Sequence, residues 1–118
     1  MPAYNFKPQF AEAVASGTKS CTIRPKRKHP TKPGDQLKLY TGMRTKRCRL
    51  LREATCTSVQ SVRISANGIE LDGAKMTAAD ELALAQADGF TNVAEMLSFF
   101  SAVYDGLPIE NMELIRWS

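Results

Sequence analysis

The stretch Gly17-Thr18-Lys19-Ser20-Cys21-Thr22-Ile23-Arg24 brings an amine, a hydroxyl and a guanidinium into one short run. On a strand, side chains alternate between faces, so Thr22 and Arg24 share a face, Ser20 continues the line and Lys19 stands at its mouth. Such a trio binds a phosphate or polarises a carbonyl. The same residues also suit an ordinary polar strand surface. A second cluster is Tyr40-Thr41-Gly42-Met43-Arg44-Thr45-Lys46-Arg47. Gly42 marks a turn, so Tyr40 and Lys46 flank one loop. A tyrosine and a lysine beside a phosphate serve in general acid–base chemistry, and without that role the loop binds phosphate passively.

Other chemistries find no footing. There is no P-loop, no G-x-G-x-x-G and no G-x-S-x-G pattern. His29 is the sole histidine, so a histidine pair for RNA cleavage is excluded. Cys21, Cys48 and Cys56 are not spaced as zinc ligands and read as reduced, buried thiols of a cytosolic protein. Cys21 and Cys48 have basic neighbours, the setting an active thiol would need. Asp80 and Glu81 suit the first turn of a helix better than a magnesium site. The reading therefore includes no metal and no cofactor.

Charge points to a polyanion. The 118 residues sum to only +4, but the distribution is lopsided. Residues 19–52 hold twelve bases against the single acid Asp35, whereas residues 53–118 hold ten acids and three bases. A basic segment of this kind suits RNA or another anionic partner, and Lys19, Arg24, Lys26, Arg27, Lys28, Arg44, Lys46 and Arg47 are the candidate contacts. The alternative is a solvated face paired with the acidic remainder.

The elements that must position these residues follow from periodicity and caps. Phe6, Phe10 and Val14 recur every four residues ahead of Gly17, predicting a short helix over 8–16. Strands are expected at 20–24 and 37–40, with a Pro- and Lys-rich loop over 25–35 between them. Residues 47–64 read as two strands or one bent strand, followed by an Asn67-Gly68 hairpin turn. Thr77-x-x-Asp80 and Asn92-x-x-Glu95 open two further helices, and Met112–Trp117 forms a last strand. The class is α+β, a single domain over 1–118 with strands outnumbering helices. No run reaches the roughly 18 apolar residues of a membrane span and no signal peptide is read, so a cytoplasmic protein with no membrane partner is expected.

The pattern Gly17-x-Lys19-x-x-Thr22-x-Arg24, then Pro33-Gly34-Asp35-x-Leu37, Leu39-Tyr40-Thr41-Gly42 and Asp88-Gly89-Phe90, resembles the ASCH domain family over roughly residues 6–117. The resemblance implies a small PUA-like β-barrel of about five to six strands, with two to three helices packed outside. Its implied partners are RNA or a modified nucleoside. One branch is similar to N4-acetylcytidine amidohydrolases and places a Lys, a Thr and a carboxylate on Lys19, Thr22 and Asp88, where an Asp stands for that group's Glu. Another branch is metal-independent ribonucleases. Its resemblance suggests Tyr40 and Lys46 for proton transfer, Arg44 or Arg24 for charge, and Ser118 near the site if the last strand returns to the cleft. Trp117 then either stacks on a base or fills the core. A non-catalytic RNA-binding module is the third reading.

Overall fold

The structure, a computed structural model, describes residues 2–118. In chain order the elements are β1 (Ala3–Phe6), α1 (Pro8–Ser16), β2 (Cys21–Pro25), β3 (Gln36–Thr41), β4 (Arg49–Ser65), β5 (Gly68–Leu71), β6 (Ala74–Lys75), α2 (Ala78–Ala87), α3 (Val93–Val103) and β7 (Ile109–Trp117). The spine is β4, one bent strand of 17 residues. Its first half pairs antiparallel with β3, from Arg49 opposite Thr41 to Thr55 opposite Gln36. Its second half pairs antiparallel with β7, which pairs in turn with β2. The change of partner coincides with an irregularity in the β4–β7 register between Cys56 and Ser58. Such a bulge bends a strand and increases its twist.

The helices begin and end where local chemistry directs. Pro8 occupies the first turn of α1, where no amide hydrogen is needed, and Gly17 closes the helix at φ 87° with its N–H on the Val14 carbonyl. Thr77 caps α2 by accepting from the Asp80 N–H at 3.1 Å, and Asn92 caps α3 by accepting from the Glu95 N–H at 2.8 Å. The core is continuous from Tyr4 and Phe6 through Leu37, Leu39, Ile64 and Leu114 to Met96 and Phe100. Trp117 belongs to it, packed edge-on against Phe6 at 6.0 Å. It therefore fills the core and is not free to stack on a base.

Three expectations need correction. Seven strands are present among the described residues, because β1 and β6 join those read from periodicity. Phe6 lies in β1, ahead of the helix expected and found over 8–16. The sheet is also open, since β1 pairs only with β3 and β2 only with β7. At the seam between them, side chains take backbone acceptors. The Arg24 guanidinium donates from Nη2 to the Asn5 carbonyl, and Arg27 donates from Nη2 to the Ala3 carbonyl, each at 2.6 Å. Arg27 also lies 4.0 Å over the Tyr4 ring. Finally, Cys48 is exposed, whereas Cys21 and Cys56 are buried.

The seam predicts that Arg27→Ala, which removes one stitch and one cation–π contact, lowers stability by about 1 kcal/mol. Chemical denaturation measures it, and an unchanged midpoint would show that β1 is held without Arg27.

Candidate functional site

Two helix C-termini meet at the start of β2 and build the site. Past the αL turn at Gly17, the Lys19 N–H donates to the Ala13 carbonyl at 2.9 Å, and the Ser20 N–H donates to the Ala87 carbonyl at 3.0 Å. The second bond ties the approach to β2 to the end of α2. Asp88 is the C-cap of α2, and Gly89 follows at φ 95°. A Cβ on Gly89 would stand 3.2 Å from the Phe10 ring and 3.4 Å from Lys19 Cδ. Glycine there permits both the left-handed turn and the close approach of α1 and Lys19.

Lys19 Nζ donates to the Asp88 carbonyl oxygen at 2.6 Å and to the carboxylate Oδ1 of the same residue. Both side chains are almost wholly withdrawn from solvent, at 4% and 3% exposure. An ammonium at the C-terminus of α2 is favoured by the helix dipole. The rings of Phe10 and Phe6 lie 5.1 and 5.6 Å from Lys19 Nζ and offer their faces to the cation. Burial pushes the Asp88 carboxyl above the ordinary carboxylate range, against the opposing pull of Lys19 and Arg24. Its second oxygen, Oδ2, accepts no hydrogen bond from the described residues.

This pair lies on the wall of a cavity of about 250 Å³. Thr22 and Arg24 reach it from β2, Asn5 and Phe6 from β1, Phe10 from α1, and Phe99, Phe100 and Tyr104 from α3 and its C-cap. Phe10, Phe90 and Phe99 form a mutually contacting trio, with centroids 5.3 to 5.5 Å apart. Arg24 Nε donates to Thr22 Oγ1 at 2.9 Å, which leaves the threonine hydroxyl hydrogen for a ligand. Burial lowers the pKa of Arg24, and burial likewise raises that of Tyr104. Burial pushes the Cys21 thiol up to about 12, with Asp88 adding to the effect, so Cys21 does not form a ready nucleophile.

The expected site residues thus separate into groups. Lys19, Thr22, Asp88 and Arg24 converge on the cavity. Tyr40 and Lys46 do not line it. Tyr40 is half-buried on β3 opposite Leu50, and Lys46 is exposed in the turn between β3 and β4. Ser118 exchanges backbone hydrogen bonds with Thr55. Thr55 stands opposite Gln36, four residues along β3 from Tyr40, a separation of about 13 Å at strand spacing. Ser118 therefore stands apart from Tyr40. Lys26, Arg27, Lys28, Arg44, Lys46 and Arg47 are exposed, and none is in an ion pair among the described residues.

Asn5, Phe10, Phe99 and Tyr104 are cavity residues that sequence reasoning did not assign. Asn5 links two features, since its carbonyl accepts from Arg24 and its Oδ1 accepts from the Met43 N–H at 2.9 Å. Among the described residues no three His, Cys, Asp or Glu side chains gather as a metal site would require. None of the helices is long and apolar enough to cross a membrane.

A mixed, open sheet flanked by three helices, with a Lys–Thr–Asp cavity at the end of α2, defines an α+β protein of the ASCH fold. Its structural neighbours are ASCH domain proteins. The ASCH protein from Zymomonas mobilis superposes with a TM-score of 0.57 at 14% identity, covering 98% of this chain and 65% of its own. A serine-to-alanine mutant of that protein gives a TM-score of 0.57 at 14% identity, covering 98% of this chain and 66% of its own. This chain therefore spans just under two-thirds of that protein's length, and the likeness is one of fold. No protein-family profile and no curated protein matches the sequence.

Asp88→Asn leaves the Lys19 ammonium buried without its counter-charge and is expected to cost about 3–5 kcal/mol. The double variant Lys19→Met/Asp88→Leu removes both charges and regains most of that loss in urea denaturation. If it does not, the pair's packing matters more than its charge.

Proposed function

We propose that the cavity receives a nucleobase, and that Thr22, Lys19 and Asp88 hydrolyse an amide on its exocyclic nitrogen, as in N4-acetylcytidine. One observation carries this reading. Lys19 and Asp88, 69 residues apart in sequence, are joined on the wall of an aromatic cavity that Thr22 also lines. Aromatic walls suit a planar base, and a few convergent polar groups orient it.

The chemistry follows from the donors and acceptors present. Arg24 donates to Thr22 Oγ1, which stabilises developing negative charge on that oxygen as its proton leaves. The Lys19–Asp88 pair accepts that proton, with Asp88 Oδ2 open to take it. Oγ1 attacks the acyl carbon, and the Lys19 ammonium and the Arg24 guanidinium supply positive charge to the oxyanion. The C–N bond breaks, the proton passes to the departing exocyclic nitrogen, and an acyl ester remains on Thr22. Water then hydrolyses that ester, releasing the carboxylic acid and restoring the hydroxyl.

A second reading, RNA binding by the basic segment, rests on the exposure of Lys26, Lys28, Arg44, Lys46 and Arg47 without acidic partners. The two are compatible, because Asn5 joins the cavity mouth to the turn that carries Arg44, Lys46 and Arg47. Membership of the ASCH family and a metal-independent ribonuclease activity belong to the same reading.

Incubation with N4-acetylcytidine is expected to release cytidine and acetate, and Thr22→Ala to lower kcat/KM by roughly a hundredfold or more. No turnover at high enzyme concentration would reject the hydrolase. Asp88 accepts a proton only when ionised, and its carboxyl is held above the ordinary range. The rate should therefore rise with pH along an acid limb lying above that of an exposed aspartate. For the basic segment, affinity for single-stranded RNA should fall steeply with salt, and Arg44→Ala/Arg47→Ala should flatten the slope. Cleavage of that RNA in EDTA, lost in Lys46→Ala while binding persists, would assign a ribonuclease to the turn.

A further inference from the structure

The cavity carries more positive than negative charge. Lys7, Lys19, Arg24 and Asp88 line it, and Asp88 is its only acid. Lys19 and Asp88 neutralise each other. Arg24 and Lys7 have no acidic partner among the described residues.

Arg24 has further donors to give. Its Nε serves Thr22 and its Nη2 serves the Asn5 carbonyl, so Nη1 is without an acceptor among the described residues. The Phe6 ring, 4.9 Å from Cζ, covers one side of the guanidinium. Asp88, already paired with Lys19, offsets only part of the cost of holding this cation away from water, and no carboxylate among the described residues bonds to it. Stitching the β1–β2 seam does not explain it, since a single neutral N–H donor would serve. Lys7, at the N-cap of α1, lies with Nζ 5.2 Å over the Phe99 ring, on the exposed side of the same cavity. Asn5 Nδ2 bonds to none of the described residues and stands at the mouth between the two.

We infer that Arg24, Lys7 and Asn5 form an anion subsite of the cavity, and that the ligand brings a phosphate group to it. Two unneutralised cations match the charge of a phosphate monoester, about −1.5 to −2 at neutral pH, better than that of a single carboxylate. Guanidinium N–H groups and a side-chain amide suit phosphate oxygens. This rests on the reading of the cavity as a nucleobase site and sharpens it. The preferred ligand is a nucleotide with a terminal phosphate monoester, and not a neutral nucleoside; an RNA phosphodiester, with one negative charge, would match the two cations less completely.

Isothermal titration of the wild-type protein with cytidine, cytidine 5′-monophosphate, inorganic phosphate, sodium acetate and a cytidine-containing trinucleotide tests this. The monophosphate should bind about tenfold or more tighter than cytidine, the worth of one desolvated charge-assisted hydrogen bond. Inorganic phosphate should compete with it and acetate should not. Lys7→Gln, an exposed substitution, should narrow the preference, and Arg24→Gln should abolish it. If Arg24→Gln does not fold, Arg24→Lys supplies the comparison, because a point charge without the fork should keep only part of the preference. Tighter binding of the trinucleotide than of the monophosphate would place the phosphate within RNA, and the reverse would make it a terminal group. Equal affinity for cytidine and its monophosphate would overturn the subsite while leaving the nucleobase reading intact. Binding of phosphate alone, with no gain from the base, would do the opposite.

Discussion

The buried contact between Lys19 and Asp88 is the constraint around which the molecule is arranged. Two ions withdrawn this far from water are tolerated only when each satisfies the other, and the surrounding geometry serves that end. The turn after α1 delivers the amine, the end of α2 delivers both a carboxylate and a carbonyl, and Gly89 lets the two approach. The rings of Phe6 and Phe10 take the place of solvent on the cation's remaining side. Such a pair contributes little to net stability compared with an apolar substitute of equal volume. Its value lies in fixing a polar, charged point inside an aromatic enclosure, which a wholly apolar junction would not provide.

Much of this arrangement was legible in the amino-acid order. The helix caps were local and therefore readable, as Pro8, Gly17, Thr77 and Asn92 show. The strand period put Thr22 and Arg24 on one face, and the contact between them agrees. The pairing of Lys19 with Asp88 came only through family resemblance, because nothing local connects residues 69 positions apart. β1 was missed because a four-residue strand ahead of Pro8 carries almost no periodic signal, and its parallel partner β3 lies more than thirty residues on. The aromatic enclosure was hidden for a similar reason. Phe10, Phe90 and Phe99 each fit the apolar stripe of a helix or its end, and only helix packing turns them toward a common space. Ser118 shows the converse limit, since a returning strand does not by itself fix the register that sets it beside Thr55 and away from Tyr40.

The arginines also illustrate how counts of charge mislead. Twelve bases in residues 19–52 suggested one continuous polyanion surface. In the folded chain they serve different ends. Lys19 is interior, Arg24 faces the cavity while stitching β1 to β2, Arg27 stacks on Tyr4, and Arg52 donates to the Ala15 carbonyl at the end of α1. Only part of the segment remains free for an external partner. Local composition gives the sum of charge in a segment, and the fold decides which of those charges stay exposed.

The position of β7 has a consequence for how the chain comes to be assembled. Residues 109–117 lie between β2 and β4, so a strand that follows both in sequence is central to its half of the sheet. Until synthesis has passed Trp117, β2 has no neighbour and the second half of β4 presents an unpaired edge, the kind of surface that invites association between chains. β2 also carries Thr22 and Arg24. The strand that carries these two side chains is therefore held in the sheet only once β7 has joined it, and the cavity waits on that pairing.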